Sequence, residues 1–121
     1  MKWQAFIWIG LGGGIGSSIR GYLSFLYNTR EAFPWGTWLA NILSSILLGY
    51  LFGKLSSEGS AVWWYWLLGI GFCGGFSTFS TFSYETVKLF QSGHYALVGA
   101  NVLISLVVCF LILYFFSKHW V

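Results

Sequence analysis

The chain of 121 residues predicts an all-α integral membrane protein of four transmembrane helices, on three observations. Only 7% of its residues are charged, while 57% are hydrophobic and 22% aromatic; a soluble domain carries about a quarter charged residues. The apolar residues come in continuous runs without period-two alternation, which selects helices over an outer-membrane barrel. Third, the stretch 71–85, GFCGGFSTFSTFSYE, sets a glycine cluster and then alternating hydroxyls and phenylalanines inside an apolar segment. Membrane stability requires neither, because glycine weakens a helix and hydroxyls gain nothing from lipid. The pattern predicts that the third helix is broken mid-membrane and that the break is functional.

The first span is predicted at residues 3–27, long enough to cross a bilayer. It opens like a secretory signal, but runs through GLGGGIGSS without a cleavage site, so it is read as a span. Gly10, Gly14 and Ser18 recur at four-residue spacing, as do Gly12 and Gly16. Small residues so spaced let a second helix backbone approach closely, and the GxGxxG spacing of a dinucleotide loop is absent. Arg20 lies in the same span, where a charge is costly. Two roles suit it: snorkelling to the headgroups, or drawing anions into a vestibule.

Residues 28–35 form a short loop with Arg30, Glu31 and the single proline, Pro34. The second span, residues 36–55, opens GTWLAN. Thr37 and Asn41 stand one turn apart on one face, and Asn41 needs a polar partner in lipid, with Ser44 and Ser45 nearby.

The third segment, residues 61–90, is about 45 Å long as one helix against a hydrocarbon core of about 30 Å. An interruption at residues 71–75 absorbs the excess, provided that protein or water covers it. Trp63, Trp64, Tyr65 and Trp66 at its start suit an interfacial aromatic belt. A fourth span follows at residues 95–116, with Asn101 and Ser105 one turn apart. Cys73 and Cys109 both fall at membrane depth, where neither a disulfide nor a metal pair is expected.

Four spans put both termini on one side with the second loop. Lys2, Lys54 and Lys118 on that side balance Arg30, Arg20 and Lys88 on the other, so there is no positive-inside bias. Such a chain suits insertion both ways and an antiparallel, dual-topology dimer. The small net charge of +3 is scattered, which argues against nucleic acid as a partner.

The intramembrane polar residues are amides and hydroxyls with Arg20, and no carboxylate lies among them at the centre. Such donors replace the hydration shell of a small anion without trapping it. Phe79 and Phe82 are three apart; they suit packing, or edge-on contact with an anion through their positive ring edges. Carbonyls freed near Gly74 and Gly75 suit a hard cation such as sodium, or are satisfied by neighbours. A nucleophile–base pair is missing, so no enzyme is expected.

With these residues in view, GFCGGFSTFSTFSYE closely resembles the third-helix signature of the Fluc (CrcB) fluoride channels. GGGIGSSIR in the first span and PWGTWLAN entering the second extend the resemblance over the whole chain. The resemblance implies an antiparallel dual-topology homodimer with two fluoride pores and a structural sodium ion at the central break. It places Arg20 in a vestibule, Asn41, Phe79, Phe82 and Ser105 along the fluoride path, and Ser80, Thr81, Ser83 and Glu85 in a polar track beside it. The carbonyls of Gly74 and Ser77 would hold the sodium. Ser77 replaces a common threonine, and Asn101 stands where some members have tyrosine. The expected function is passive efflux of cytoplasmic fluoride across the cell (inner) membrane by a multi-pass channel. The alternative is a small multidrug-resistance-type proton-coupled exporter, which would want a carboxylate in the first span; none is present.

Overall fold

The computed structural model describes residues 2–28, 32–58, 63–118 and 120, without the side chains of 55–58. Arg30, Glu31 and His119, and residues 61 and 62 of the third segment, lie outside the described residues. All regular structure among the described residues is helical. Helix α1 spans Trp3–Tyr27, α2 Trp35–Glu58 and α5 Tyr95–Ser117. Between α2 and α5, α3 comprises a π-helical stretch Tyr65–Cys73 that passes into α-helix at Gly74–Phe76, and α4 spans Ser80–Gln91.

The helices run up and down. At one end the start of α1 meets the start of the third segment through Trp8 and Trp63, whose ring centroids are 5.4 Å apart. Phe52 near the end of α2 meets Tyr65 and Trp120 at the same end. At the other end the Asn28 side chain, just past α1, accepts from the Gly36 backbone N–H at 2.7 Å. Gly93, at φ +79°, turns the chain from α4 into α5, a left-handed position that glycine occupies without strain.

Helix α1 packs mainly on α3, and α2 mainly on α5. The first seam is backbone against backbone. A Cβ on Gly12 would sit 2.0 Å from the Leu67 carbonyl oxygen, and one on Gly16 2.4 Å from that of Phe72. From the other side, a Cβ on Gly75 would sit 2.3 Å from the Gly13 carbonyl oxygen. Gly10 and Gly14 meet nothing within 4 Å, so only one of the two four-spaced sets makes this contact.

This seam moves the expected interruption. Residues 71–75 stay helical, with Gly71 and Gly75 set against α1; the helical path ends at Phe76 and resumes at Ser80. Ser77 is extended, at φ −82°, ψ 157°.

The burial pattern inverts that of a soluble protein. The largest side chains buried almost completely are Asn101 and Thr37, whereas Phe25, Phe110 and Tyr114 are each more than two-thirds exposed. Many large apolar groups face outward while Thr37, Ser44, Asn101 and Ser105 are buried, an arrangement that lipid favours, although Phe76 and Phe82 are also buried. By length and composition α2 (over Trp35–Lys54) and α5 are apolar enough to cross a membrane.

Candidate functional site

The site begins on one face of α2. Thr37, Asn41 and Ser45 follow one another at four-residue spacing and share that face. Asn41 takes hold of the chain where the helical path is interrupted. Its Oδ1 accepts from the Thr78 backbone N–H at 2.8 Å, and its Nδ2 donates to the Thr78 carbonyl at 3.3 Å. One amide side chain thus satisfies both polar groups of Thr78, which matters where water is scarce. The second is a long bond, near the limit of the geometry, and the Asn41 amide has another N–H besides.

Beside this clamp is a cavity of about 230 Å³ lined by Asn41, Ser77, Phe79, Phe82, Ser105 and Cys109, among others. The two phenyl rings have centroids 5.8 Å apart and are inclined by 40°. Phe82 is only 8% exposed and Phe79 75%, so one ring is fixed in the core and the other stands at its surface. Among the described residues, no carboxylate lines this cavity.

Ser105 belongs to a relay of side chains. Its hydroxyl donates to Asn101 Oδ1 at 3.4 Å, Asn101 Nδ2 donates to Thr86 Oγ1 at 2.9 Å, and Thr86 donates to the Phe82 carbonyl at 2.7 Å. Asn101, buried to 1% exposure, therefore ties α5 to α4 behind Phe82. Its amide links Ser105 to Thr86, which donates to the Phe82 carbonyl behind the cavity wall.

A second, larger cavity of about 550 Å³ lies farther along α4, lined by Ser24, Asn28, Thr81, Glu85 and Lys88 among others. Arg20 reaches the same turn. Its Nε donates to the Gly75 carbonyl at 3.1 Å, and a terminal nitrogen lies 3.5 Å from Thr81 Oγ1. The guanidinium thus stands at the C-terminal end of α3, where freed carbonyls favour a cation. Ser17 donates to the Gly75 carbonyl as well, at 3.3 Å. These contacts tie the half-buried Arg20 side chain to Gly75 and Thr81. Glu85 is held by neutral donors: Thr37 donates to its Oε1, and Asn28 Nδ2 to its Oε2 at 2.7 Å.

The interruption also diverts two backbone donors. In a continuous helix the Thr78 N–H would close on the Gly74 carbonyl, and the Thr81 N–H on that of Ser77. Instead Thr78 gives its N–H to Asn41, and Thr81 gives its own to Thr78 Oγ1 at 3.1 Å.

The structure therefore brings together Asn41, Ser77, Phe79, Phe82 and Ser105 in one cavity, and Thr81 and Glu85 in the other, with Arg20 alongside. Ser80 and Ser83 line neither. Ser83 donates to the Phe79 carbonyl at 2.8 Å, and Ser80 Oγ lies 3.3 Å from Thr78 Oγ1. Two participants escape a reading of the sequence alone, as does the partner of a third. Thr86 hides behind the hydroxyl–phenylalanine motif, and Asn28 reads as an ordinary loop residue. Thr37 stands out by its spacing from Asn41, but nothing in the sequence names Glu85 as its partner.

Comparison with known proteins agrees along nearly the whole chain. Residues 7–116 match the family described as CrcB-like protein, Camphor Resistance (CrcB). A protein of Pyrococcus abyssi named fluoride-specific ion channel FluC is 48% identical over 111 residues, covering 84% of this chain and 86% of that protein. Proteins of the same name from Pyrococcus horikoshii and Koribacter versatilis are 46% and 40% identical. The P. horikoshii match covers 81% of this chain and 80% of the relative, and the K. versatilis match 90% and 89%.

Proposed function

The chain belongs to the CrcB-like family, and we propose that it is a fluoride-specific channel by which cytoplasmic fluoride leaves the cell. It is a membrane protein and not an enzyme. The observation that carries the reading is the cavity where Asn41, Phe79, Phe82 and Ser105 converge without a carboxylate. An N–H and a hydroxyl, both in bonds of 3.3 to 3.4 Å, face the same space as two phenyl rings. Long bonds are weak and readily exchanged for a fluoride contact, so the anion is dehydrated onto donors that release it again. The proton-coupled exporter finds no support in the named relatives or in α1, which lacks a carboxylate.

The route runs along α4. Fluoride enters the larger cavity in the field of Arg20 and Lys88, passes Thr81, and reaches Phe82, Phe79 and Asn41 at the smaller cavity. Hydrogen fluoride crosses membranes as the neutral acid and dissociates in the less acidic cytoplasm. An interior-negative potential then favours exit of the anion through the inner membrane.

In the same reading, α3 and α4 are the two halves of one span broken mid-membrane, so that the chain crosses four times. Two copies assemble antiparallel, which covers the exposed Phe79 ring and gives two pores. The Gly74 and Ser77 carbonyls fit a structural sodium ion, because their helical donors are diverted to Asn41 and Thr78 and hard cations take oxygen ligands. Such an ion would neutralise the carbonyl ends at the break. Purification with N-methylglucamine replacing sodium should then lower the thermal midpoint; an unchanged midpoint removes the cation from the reading.

The deciding experiment is ion efflux from liposomes holding the purified protein. Rapid fluoride efflux with chloride retained is expected. Equal passage of chloride, or no fluoride current, overturns the proposal.

A further inference from the structure

We propose that Asn28 is a positioning residue of the anion route, acting on it through Glu85. This rests on the channel reading above and adds a residue to it. Asn28 closes a ring of three side chains from different elements: the end of α1, the first turn of α2 and the middle of α4. Its Nδ2 donates to Glu85 Oε2 at 2.7 Å and lies 3.2 Å from Thr37 Oγ1, and the Thr37 hydroxyl donates to Glu85 Oε1. Its Oδ1 accepts from the Gly36 N–H at 2.7 Å. That backbone donor requires an oxygen opposite it, so it fixes which end of the amide faces the carboxylate.

The ring has an electrostatic consequence. Asn28, Glu85 and Lys88 all line the larger cavity, through which the anion is taken to enter. A carboxylate free to turn there would repel fluoride and would compete for Arg20, which binds Gly75 and stands beside Thr81. With one donor on each oxygen, Glu85 is tethered to α2 and to the end of α1, and the cationic groups of the mouth stay available. Thr37 alone leaves Oε2 without a donor, so Asn28 decides the orientation.

The Asn28→Asp variant separates this role from a loop-fastening one. Aspartate keeps an oxygen for the Gly36 N–H but loses the N–H that holds Glu85, and sets two carboxylates face to face. Fluoride efflux should fall about tenfold, the size of one charge-assisted hydrogen bond. In Asn28→Asp with Glu85→Gln, the new carboxylate accepts from the glutamine amide, so efflux should be no lower than in Glu85→Gln alone. Efflux of Asn28→Asp at the wild-type rate overturns the proposal. So does a double variant that falls below Glu85→Gln by the same factor, because Asn28 would then act independently of Glu85. If Glu85→Gln shows no flux above the leak of empty liposomes, thermal midpoints of the four proteins in detergent decide by the same rule. A wild-type protein that passes no fluoride defeats the channel reading, while that thermal cycle still tests the pairing of Asn28 with Glu85.

Discussion

Two seams of this bundle are built from opposite materials. Between α1 and α3 the contact is glycine on backbone, with a Cβ on Gly12, Gly16 or Gly75 falling 2.0 to 2.4 Å from a carbonyl oxygen. Among α2, α4 and α5 it is made by side-chain amides and hydroxyls: Asn41 on Thr78, Thr37 and Asn28 on Glu85, and Asn101 on Thr86. Over Gly12, Gly16 and Gly75 the first seam leaves no room for a side chain, and only at its end do Ser17 and Arg20 donate across it, to the Gly75 carbonyl. The second offers side-chain donors, two of them in long bonds of 3.3 and 3.4 Å, and borders both cavities. Both materials come from one short sequence: the stretch 71–85 gives Gly71 and Gly75 to the first seam, and Thr78, Phe79, Phe82 and Glu85 to the second and the cavities it borders.

The sharpest way to break the comparison is at the glycine seam. Gly12→Leu or Gly75→Leu drives side-chain atoms into backbone that cannot move aside, costing more than the ~1–3 kcal/mol typical of an overpacked core. Loss of monodisperse protein on size exclusion is expected. Gly14→Ala, on the face that meets nothing within 4 Å, should leave yield and efflux unchanged. If Gly14→Ala were as damaging as Gly75→Leu, the seam would be misassigned.

On the polar side the expected order of effects is different, because function fails before folding. Phe79→Ile with Phe82→Ile keeps apolar volume near the cavity but removes the aromatic edges. Fluoride efflux should drop to the leak of empty liposomes while the elution volume of the assembly is kept. Unchanged efflux would make the two rings packing alone. Asn41→Leu strands both polar groups of Thr78, and should cost about 1–3 kcal/mol per unsatisfied group together with most of the efflux. Thermal unfolding and efflux measured on one preparation would show whether both losses occur.

The smallest effect is expected at the relay. Asn101→Leu removes the tie between α4 and α5, and interhelical hydrogen bonds in membranes average only about 0.6 kcal/mol. A small drop in thermal midpoint with a partial loss of efflux would place Asn101 behind the cavity wall. Complete loss of efflux would put its amide in the path.

Much of this was legible in the chain, and the reason differs from residue to residue. Asn41 announces itself because an amide at membrane depth needs a polar partner. Phe79 and Phe82 do so through the hydroxyls that flank them, which lipid contact does not reward. The glycine spacing foretells close helix approach, but not which set makes it, since both sets suit a helix face equally. The helical path ends after Phe76 rather than within residues 71–75, because glycine permits a break without requiring one, and Gly71 and Gly75 are taken up by the contact with α1. Ser80 and Ser83 look equivalent to Thr81 in the alternating pattern, yet only Thr81 turns towards Arg20 and the larger cavity.

Composition and periodicity by themselves determined the solvent, the helical class and the set of polar residues that lipid would not tolerate unpaired. These are properties of single residues or of residues close along the chain. Tertiary structure alone decided the partners: which carbonyls lose their helical donors, which hydroxyl meets Glu85, and that Asn28, just past the end of α1, reaches a carboxylate 57 positions away. Hydrogen bonds act over about 3 Å, and no local pattern in a chain says which distant segments will come that close.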